Sequence, residues 1–135
     1  MEIGEFVEIC KLNGLNLSEE KVSLIEEYAK LLREFNKRVN LISRKEHDIL
    51  GKHILHCISP LFKFEIEPNS LILDLGTGGG LPGIPWAIVN DNSNFVLLDG
   101  TKKKIEAVTQ IIKELNLKNT TAIWGRAEEI SKSEN

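Results

Sequence analysis

The sequence predicts an α/β fold, in which a parallel sheet of three strands follows a helical N-terminal segment. Three observations predict it. Up to Pro68 the apolar residues recur at helical spacing, and after Asn69 they gather into short runs separated by amphipathic stretches. The runs at 71–75, 95–99 and 120–124 have strand length, whereas 82–89 and 102–115 between them read as helices. Strand, helix, strand, helix, strand at this spacing is a parallel unit with right-handed crossovers. Finally, four glycines within five residues, Gly76, Gly78, Gly79 and Gly80, join the first strand to its helix.

Taken in order, residues 2–13 spell a helix through Ile3, Phe6, Val7 and Ile9, and Asn13-Gly14 stops it. Ser18 is a good N-cap, with Glu19 and Glu20 in the first turn where the helix dipole favours acids. From there to about Val39 a broad stripe of Val22, Ile25, Ala29 and Leu32, flanked by Leu24, Tyr28, Leu31 and Phe35, predicts a helix buried over a wide face. Residues 40–43 break that pattern. A further helix is expected over about 46–59, and Pro60 and Pro68 mark the link to the sheet. Two parts follow: residues 1–68, helical, and residues 69–135, carrying the strands. Trp86 and Trp124 read as core.

With 135 residues the chain can bury a real core, and its 41% hydrophobic and 27% charged residues are ordinary for a soluble domain. No apolar run is long enough to cross a bilayer. The acidic N-terminus, MEIGEFVEIC, is neither a secretory signal nor a transit peptide, and Cys10 and Cys57 form no CxxC pair, so reduced thiols in a cytoplasmic protein are expected. The net charge of −3 argues against a wholly basic nucleic-acid binder. The sign is unevenly spread. Acids dominate up to Ala29, and from Lys30 to His53 the cations Lys30, Arg33, Lys37, Arg38, Arg44, Lys45 and Lys52 outnumber Glu34, Glu46 and Asp48. A local basic face can bind phosphate on an acidic protein. On charge alone, a solvated helix face is the favoured reading.

The glycine stretch, LILDLGTGGGLPG over 71–83, suits a nucleotide-like ligand. A phosphate loop of the GxxxxGK[ST] type is excluded because Ile84 and Pro85 stand where lysine and the hydroxyl residue belong. A dinucleotide fingerprint can be read at Gly78, Gly80 and Gly83, with Asp99 at about the spacing of a ribose-binding acid. A third pattern, Asp-x-Gly-x-Gly-x-Gly, is formed by Asp74, Gly76, Gly78 and Gly80.

That third pattern resembles the first motif of class I S-adenosylmethionine-dependent methyltransferases, whose core is a Rossmann-like parallel sheet. The resemblance implies that the loop underlies the methionine part of the cofactor and that Asp99 accepts from the ribose hydroxyls. Ala127 and Glu128, after the third strand, would flank the adenine. The cofactor-binding set so implied is Asp74, Gly76, Thr77, Gly78, Gly80, Leu81, Asp99, Gly100, Thr101, Ala127 and Glu128.

More specifically, DLGTGGGLPGIPWAIV followed by FVLLDGTKKKIEAV resembles the ribosomal small-subunit RNA guanine-N7 methyltransferase family, also called glucose-inhibited division protein B. The LPGIP after the glycines is its distinguishing part. Phe35-Asn36-Lys37-Arg38-Val39-Asn40-Leu41 is similar to the family's WNxxxNLT segment, His53-Ile54-Leu55 to its HILDS, and Gly125-Arg126-Ala127-Glu128-Glu129 to its R-[AV]-E segment. The similarity covers essentially the whole chain. Ile42 replaces the threonine of NLT, and His56 and Cys57 replace the aspartate and serine of HILDS. The family's later segment, an arginine-alanine pair after a fourth strand and a lysine-glycine turn near a fifth, is absent.

The resemblance implies methyl transfer from S-adenosylmethionine to N7 of a guanine in 16S ribosomal RNA, with the RNA or a small-subunit assembly intermediate as partner. N7 has a lone pair and no proton to lose, so no general base is expected. Phosphate contacts are expected from Arg33, Lys37, Arg38, Arg44, Lys45, Lys52 and His53. His53 and His56 share a helix face, but no third ligand is apparent and no metal is expected. Lys102, Lys103 and Lys104 read as solvated. A parallel sheet needs both faces covered, and three strands leave the first as an apolar edge, so the sequence is expected to be a fragment or to oligomerise. Alone it is expected to turn over little or not at all. The alternatives are a nonenzymatic cofactor- or RNA-binding fragment and, more remotely, an NAD-dependent oxidoreductase.

Overall fold

A computed structural model describes residues 1–126. Its elements are α1 (Ile3–Leu12), α2 (Glu19–Asn36), a π-helix (Ile49–Leu55), α3 (His56–Ile58), a 3-10 turn (Ser59–Phe62), β1 (Leu71–Leu75), α4 (Gly83–Val89), β2 (Asn94–Asp99), α5 (Lys102–Leu115) and β3 (Thr120–Trp124). The strands pair in the order β1-β2-β3, all parallel, with Asp74 opposite Leu97 and Asp99 opposite Trp124. The α/β class, the three strands and the preceding helices agree with the sequence reading.

Local chemistry sets the boundaries. Ser18 caps α2 by accepting the Lys21 N–H at 3.2 Å. The predicted helix to Val39 stops at Asn36, because the Asn36 side chain turns forward and accepts from the N–H groups of Leu41 and Ile42 at 2.8 and 3.0 Å. Serving two amides outside the helix, it replaces further helical turns with a fixed bend. The single helix expected over 46–59 is instead an irregular run from Ile49 to Phe62, beginning as a π-helix. Asp48 caps it by accepting from Gly51 N–H at 3.0 Å. Asn116 closes α5 in the left-handed conformation with φ 55°.

One core runs through both halves of the chain. Phe6, Ile25, Tyr28, Leu32 and Ile54 from the helical segment are buried together with Ile84, Phe95, Leu97, Val108 and Ile111. Helix α5 packs on β2 and β3, α4 on β2, and α2 against both helices. These helices cover one face of the sheet. On the other, among the described residues, Leu71, Leu73, Leu75 and Ile123 are 67%, 51%, 58% and 41% exposed, which is the open apolar edge expected of β1. Trp124 is 56% exposed rather than core, because it stands on the last position of an edge strand, beyond the cover of α5. Trp86 is half-buried, with its indole N–H donating to Cys57 O at 2.7 Å. Cys10 is buried and Cys57 partly so; both thiols are free, and burial pushes Cys10 up to about 11. No helix among the described residues is long and apolar enough to cross a membrane.

Candidate functional site

The glycine loop leaves the C-terminal end of β1 and folds back over the neighbouring strand. Gly76 and Thr77 donate their N–H groups to Leu98 O at 2.9 and 2.8 Å, and Gly80 and Leu81 donate to Thr77 O at 2.9 and 3.1 Å. Gly76, Gly78 and Gly80 all have positive φ, 74°, 56° and 95°, a region costly for residues with a Cβ. Gly79 and Gly83 are needed for space instead. A Cβ on Gly79 would lie 2.9 Å from Leu32 Cδ1 and 3.1 Å from Leu41 Cβ, and one on Gly83 would lie 2.8 Å from both Asp74 Oδ2 and Leu97 Cγ. The peptide bond Leu81–Pro82 is cis.

Two carboxylates organise this loop. Asp74 Oδ2 accepts from the Thr77 hydroxyl at 2.7 Å and from Gly83 N–H at 3.0 Å. Burial raises its pKa, an effect that these two hydrogen bonds oppose and the charge of Asp99 reinforces. Asp99, at the end of β2, accepts from Thr101 N–H at 2.9 Å through Oδ1 and from Gly78 N–H at 3.0 Å through Oδ2. Burial alone would raise its pKa. The Thr101 and Gly78 hydrogen bonds and the Lys104 charge outweigh that and hold it below the ordinary carboxylate value.

A glycine turn that feeds a helix N-terminus can gather free N–H groups, and here it does not. From Gly76 to Leu81 only Gly79 N–H lacks a hydrogen bond to a described residue, and the first amide of α4 donates to Asp74. What the loop presents is backbone oxygen, carboxylate and an open surface. A Cβ on Gly76 would meet nothing within 4 Å, and one on Gly78 only Leu41 O at 3.8 Å. A ligand can approach the backbone there with no side chain in the way. Such a site fits hydroxyl donors and positive charge better than pyrophosphate. The acceptor set fits a ribose, from whose hydroxyls Asp99 can accept, and a sulfonium group, which two nearby carboxylates favour.

Of the expected cofactor residues, Asp74, Gly76, Thr77, Gly78, Gly80 and Leu81 lie in or beneath this loop, and Asp99 ends β2, with Gly100 and Thr101 following it at the same end of the sheet. Thr77 is 2% exposed, with its hydroxyl held by Asp74, and Leu81 packs on the core. Ala127 and Glu128 lie outside the described residues. Beyond Asp99, a cavity of about 320 Å³ is lined by Gly100, Trp124, Gly125 and Arg126. Trp124 closes it by donating its indole N–H to Gly100 O at 3.1 Å, and the Lys102 ammonium lies 5.5 Å over the indole ring. Lys102 is exposed, as expected, and its ring contact is made on the surface.

Sequence reasoning missed Tyr28, which is fully buried and donates its hydroxyl to Gly79 O at 2.8 Å. It was read as part of an apolar stripe, and periodicity cannot distinguish a packed ring from one with a polar task. The expected basic residues separate. Arg33, Lys37 and Arg44 line one cavity of about 430 Å³ together with Asn36, Glu46 and the unforeseen His47. Arg38 instead stacks its guanidinium 5.1 Å over the Phe35 ring. Lys45 and Lys52 are exposed elsewhere. His53 is half-buried, and its Nε2 has no hydrogen-bond partner among the described residues.

The solved structure of coclaurine N-methyltransferase bound to N-methylheliamine and SAH is similar in fold, with a TM-score of 0.50 at 15% identity, covering 91% of this chain and 44% of that one. The "Ribosomal RNA small subunit methyltransferase G" of Chlorobaculum tepidum is 43% identical over 123 residues, covering 90% of this chain and 57% of the relative. That of Chlorobium chlorochromatii is 46% identical over 123 residues, covering 90% and 53%. The chain thus spans little more than half the length of these curated relatives. Residues 21–135 match the profile of the family described as "GidB: rRNA small subunit methyltransferase G". The chain belongs to the rRNA small subunit methyltransferase G family.

Proposed function

We propose that this chain carries the S-adenosylmethionine-binding part of a cytoplasmic enzyme that methylates N7 of a guanine in 16S ribosomal RNA. The observation that carries the reading is the convergence of Asp74 and Asp99 on a glycine loop whose amides are nearly all engaged internally. Such a loop has little to offer a pyrophosphate, whose binding needs free N–H groups. Residues 69–135 hold the cofactor through Asp74, Gly76, Thr77, Gly78, Gly80, Leu81, Asp99, Gly100 and Thr101. Residues 1–68 form the RNA-recognition segment. Ala127 and Glu128 complete the adenine side on the strength of the family motif.

When bound, the cofactor supplies an electrophilic methyl group on a sulfonium sulfur. The residues of this chain position and desolvate. Asp99 accepts hydrogen bonds from the ribose and so fixes the cofactor's register along the loop. Asp74 keeps the loop in shape by gripping Thr77 and Gly83. Guanine N7 attacks with its own lone pair, so no side chain need remove a proton, and rate enhancement comes from alignment and the exclusion of water. The base must be presented unpaired, as in a loop of folded RNA.

The exposed leucines of β1 favour a second statement: these 135 residues bind cofactor but turn over slowly or not at all by themselves. Thermal shift with S-adenosylhomocysteine and, separately, NADH tests the cofactor assignment, and stabilisation by NADH alone would sink it. Methyl transfer to undermodified small-subunit RNA tests the reaction, and robust turnover by the purified monomer would overturn the second statement.

A further inference from the structure

We propose that the notch between the end of α2 and residues 42–47 seats one backbone phosphate of the substrate RNA, close to the guanine that is methylated. The inference rests on the reading of the chain as part of an RNA methyltransferase and adds where, and through which groups, the strand is held.

Two arginines on different elements line one concavity of about 430 Å³: Arg33 in the last turn of α2 and Arg44 in the following loop. Neither guanidinium pairs with a carboxylate among the described residues, whose ion pairs are confined to Met1–Asp48, Lys21–Asp91 and Lys37–Glu34. His47 adds a donor to the same wall, and Lys37, paired with Glu34 at 3.3 Å, stands beside it. The one acid there, Glu46, is already engaged, accepting from Asp48 N–H at 3.0 Å. Two unpaired cations sharing a concave wall raise the local positive potential. Each guanidinium offers a fork of N–H groups that matches two phosphate oxygens.

The notch is also tied to the cofactor loop. Asn36, which lines it, accepts from Leu41 and Ile42 N–H and thereby fixes the segment leading to Arg44. That same segment abuts the glycines: a Cβ built on Gly79 would lie 3.1 Å from Leu41 Cβ and 3.4 Å from Leu41 O. A segment of four residues, 41–44, therefore connects Arg44 to the loop that underlies the reacting methyl group. A phosphate held at one end fixes the approach of a nearby base at the other. Asn36 acts here as a positioning residue.

The test is filter retention of a 16S ribosomal RNA transcript by the chain, from about 50 to 200 mM salt, the range over which phosphate contacts weaken steeply. The variants are Arg33→Gln, Arg44→Gln and the double substitution. Lys113→Gln, a basic residue of α5 outside the notch, is the control. Circular dichroism and the S-adenosylhomocysteine thermal shift report folding independently. Each notch variant is expected to bind about tenfold more weakly, the loss of one charged hydrogen-bonded contact. The double variant's plot of log affinity against log salt should be shallower by about 1, with folding and cofactor shift unchanged. A double variant with the wild-type slope and affinity, or a loss no greater than that of Lys113→Gln, overturns the proposal and leaves the RNA reading standing. If the folded wild-type chain retains no RNA at low salt, the RNA reading fails and the notch with it.

Discussion

Removing the Tyr28 hydroxyl probes the contact between the helical segment and the glycine loop more directly than any change in the loop. Tyr28 is fully buried and its hydroxyl donates to Gly79 O at 2.8 Å. Tyr28→Phe keeps the ring, so little apolar contact is lost. What remains is a carbonyl that has lost its donor in a site sealed from water, which costs about 1–3 kcal/mol. Burial also lifts the phenol pKa well above its usual 10.0, with smaller contributions from the neighbouring Cys57 and Asp74. The sign follows. A group whose folded pKa is raised contributes stability that is whole below the unfolded value and lost as pH rises through the folded one. Above about pH 10 the unfolded chain releases this proton while the native state keeps it, so wild-type stability gains a component falling by about 1.4 kcal/mol per pH unit.

The chain contains a single tyrosine, so tyrosinate absorbance reports this group alone. Urea unfolding of wild type and Tyr28→Phe from neutral pH to above pH 10, with linear extrapolation, gives both quantities. The difference between the two proteins should be constant up to the unfolded phenol pKa and shrink beyond it, and native tyrosinate should appear only as the fold opens. The reasoning is refuted if native Tyr28 titrates near 10, or if Tyr28→Phe unfolds at the wild-type urea concentration.

Other outcomes follow from the same geometry. Gly83→Ala puts a methyl 2.8 Å from Asp74 Oδ2 and from Leu97 Cγ and should destabilise by about 1–3 kcal/mol, seen as a lowered melting temperature. Ser18→Ala removes the α2 cap and should cost about 1 kcal/mol in denaturant unfolding without altering the S-adenosylhomocysteine shift. Asp99→Asn should weaken S-adenosylhomocysteine binding by about tenfold or more in calorimetry, because a charged acceptor becomes a neutral one; unchanged affinity would remove Asp99 from the site. Leu73→Lys, on the open face of β1, should reduce self-association in sedimentation runs while leaving the melting temperature unchanged.

The strands and the order of elements were legible because each signal is local: glycines between apolar runs, a serine before an acidic turn, a period of 3.6 or none. Boundaries failed where one side chain redirected the backbone, as Asn36 does by reaching five and six residues ahead to Leu41 and Ile42. The π-helical start of the run after Asp48 was likewise invisible, since its apolar spacing also fits an α-helix. Asp74, Asp99 and the glycines could be named as candidates from the resemblance of their pattern to a methyltransferase motif. Which loop amides would remain free could not, because their partners are Leu98 O, Thr77 O and the two carboxylates, groups brought together only when β1 and β2 pair. The basic stretch was legible as composition alone. Its division into a notch of Arg33, Lys37 and Arg44 and a separate Arg38 stacked on Phe35 depends on which way α2 faces.

That facing has a consequence for the two-part view of the chain. Tyr28 holds Gly79 O, Leu32 and Leu41 leave no room for a Cβ on Gly79, and the Lys21 ammonium donates to Val89 O, the last residue of α4, at 2.7 Å. The helical segment is therefore a wall of the glycine loop rather than an appendage beside it. The loop holds itself through Leu98 O, Thr77 O and the two carboxylates, and α2 adds the Tyr28 hydroxyl on Gly79 O from its far side. If a ligand that orders α2 and the 40–47 segment also orders the loop, then by reciprocity a ligand on the loop favours the same arrangement of the notch to the same extent. Leu41 and its neighbours, packed against Gly78 and Gly79, are the common wall through which such coupling would run.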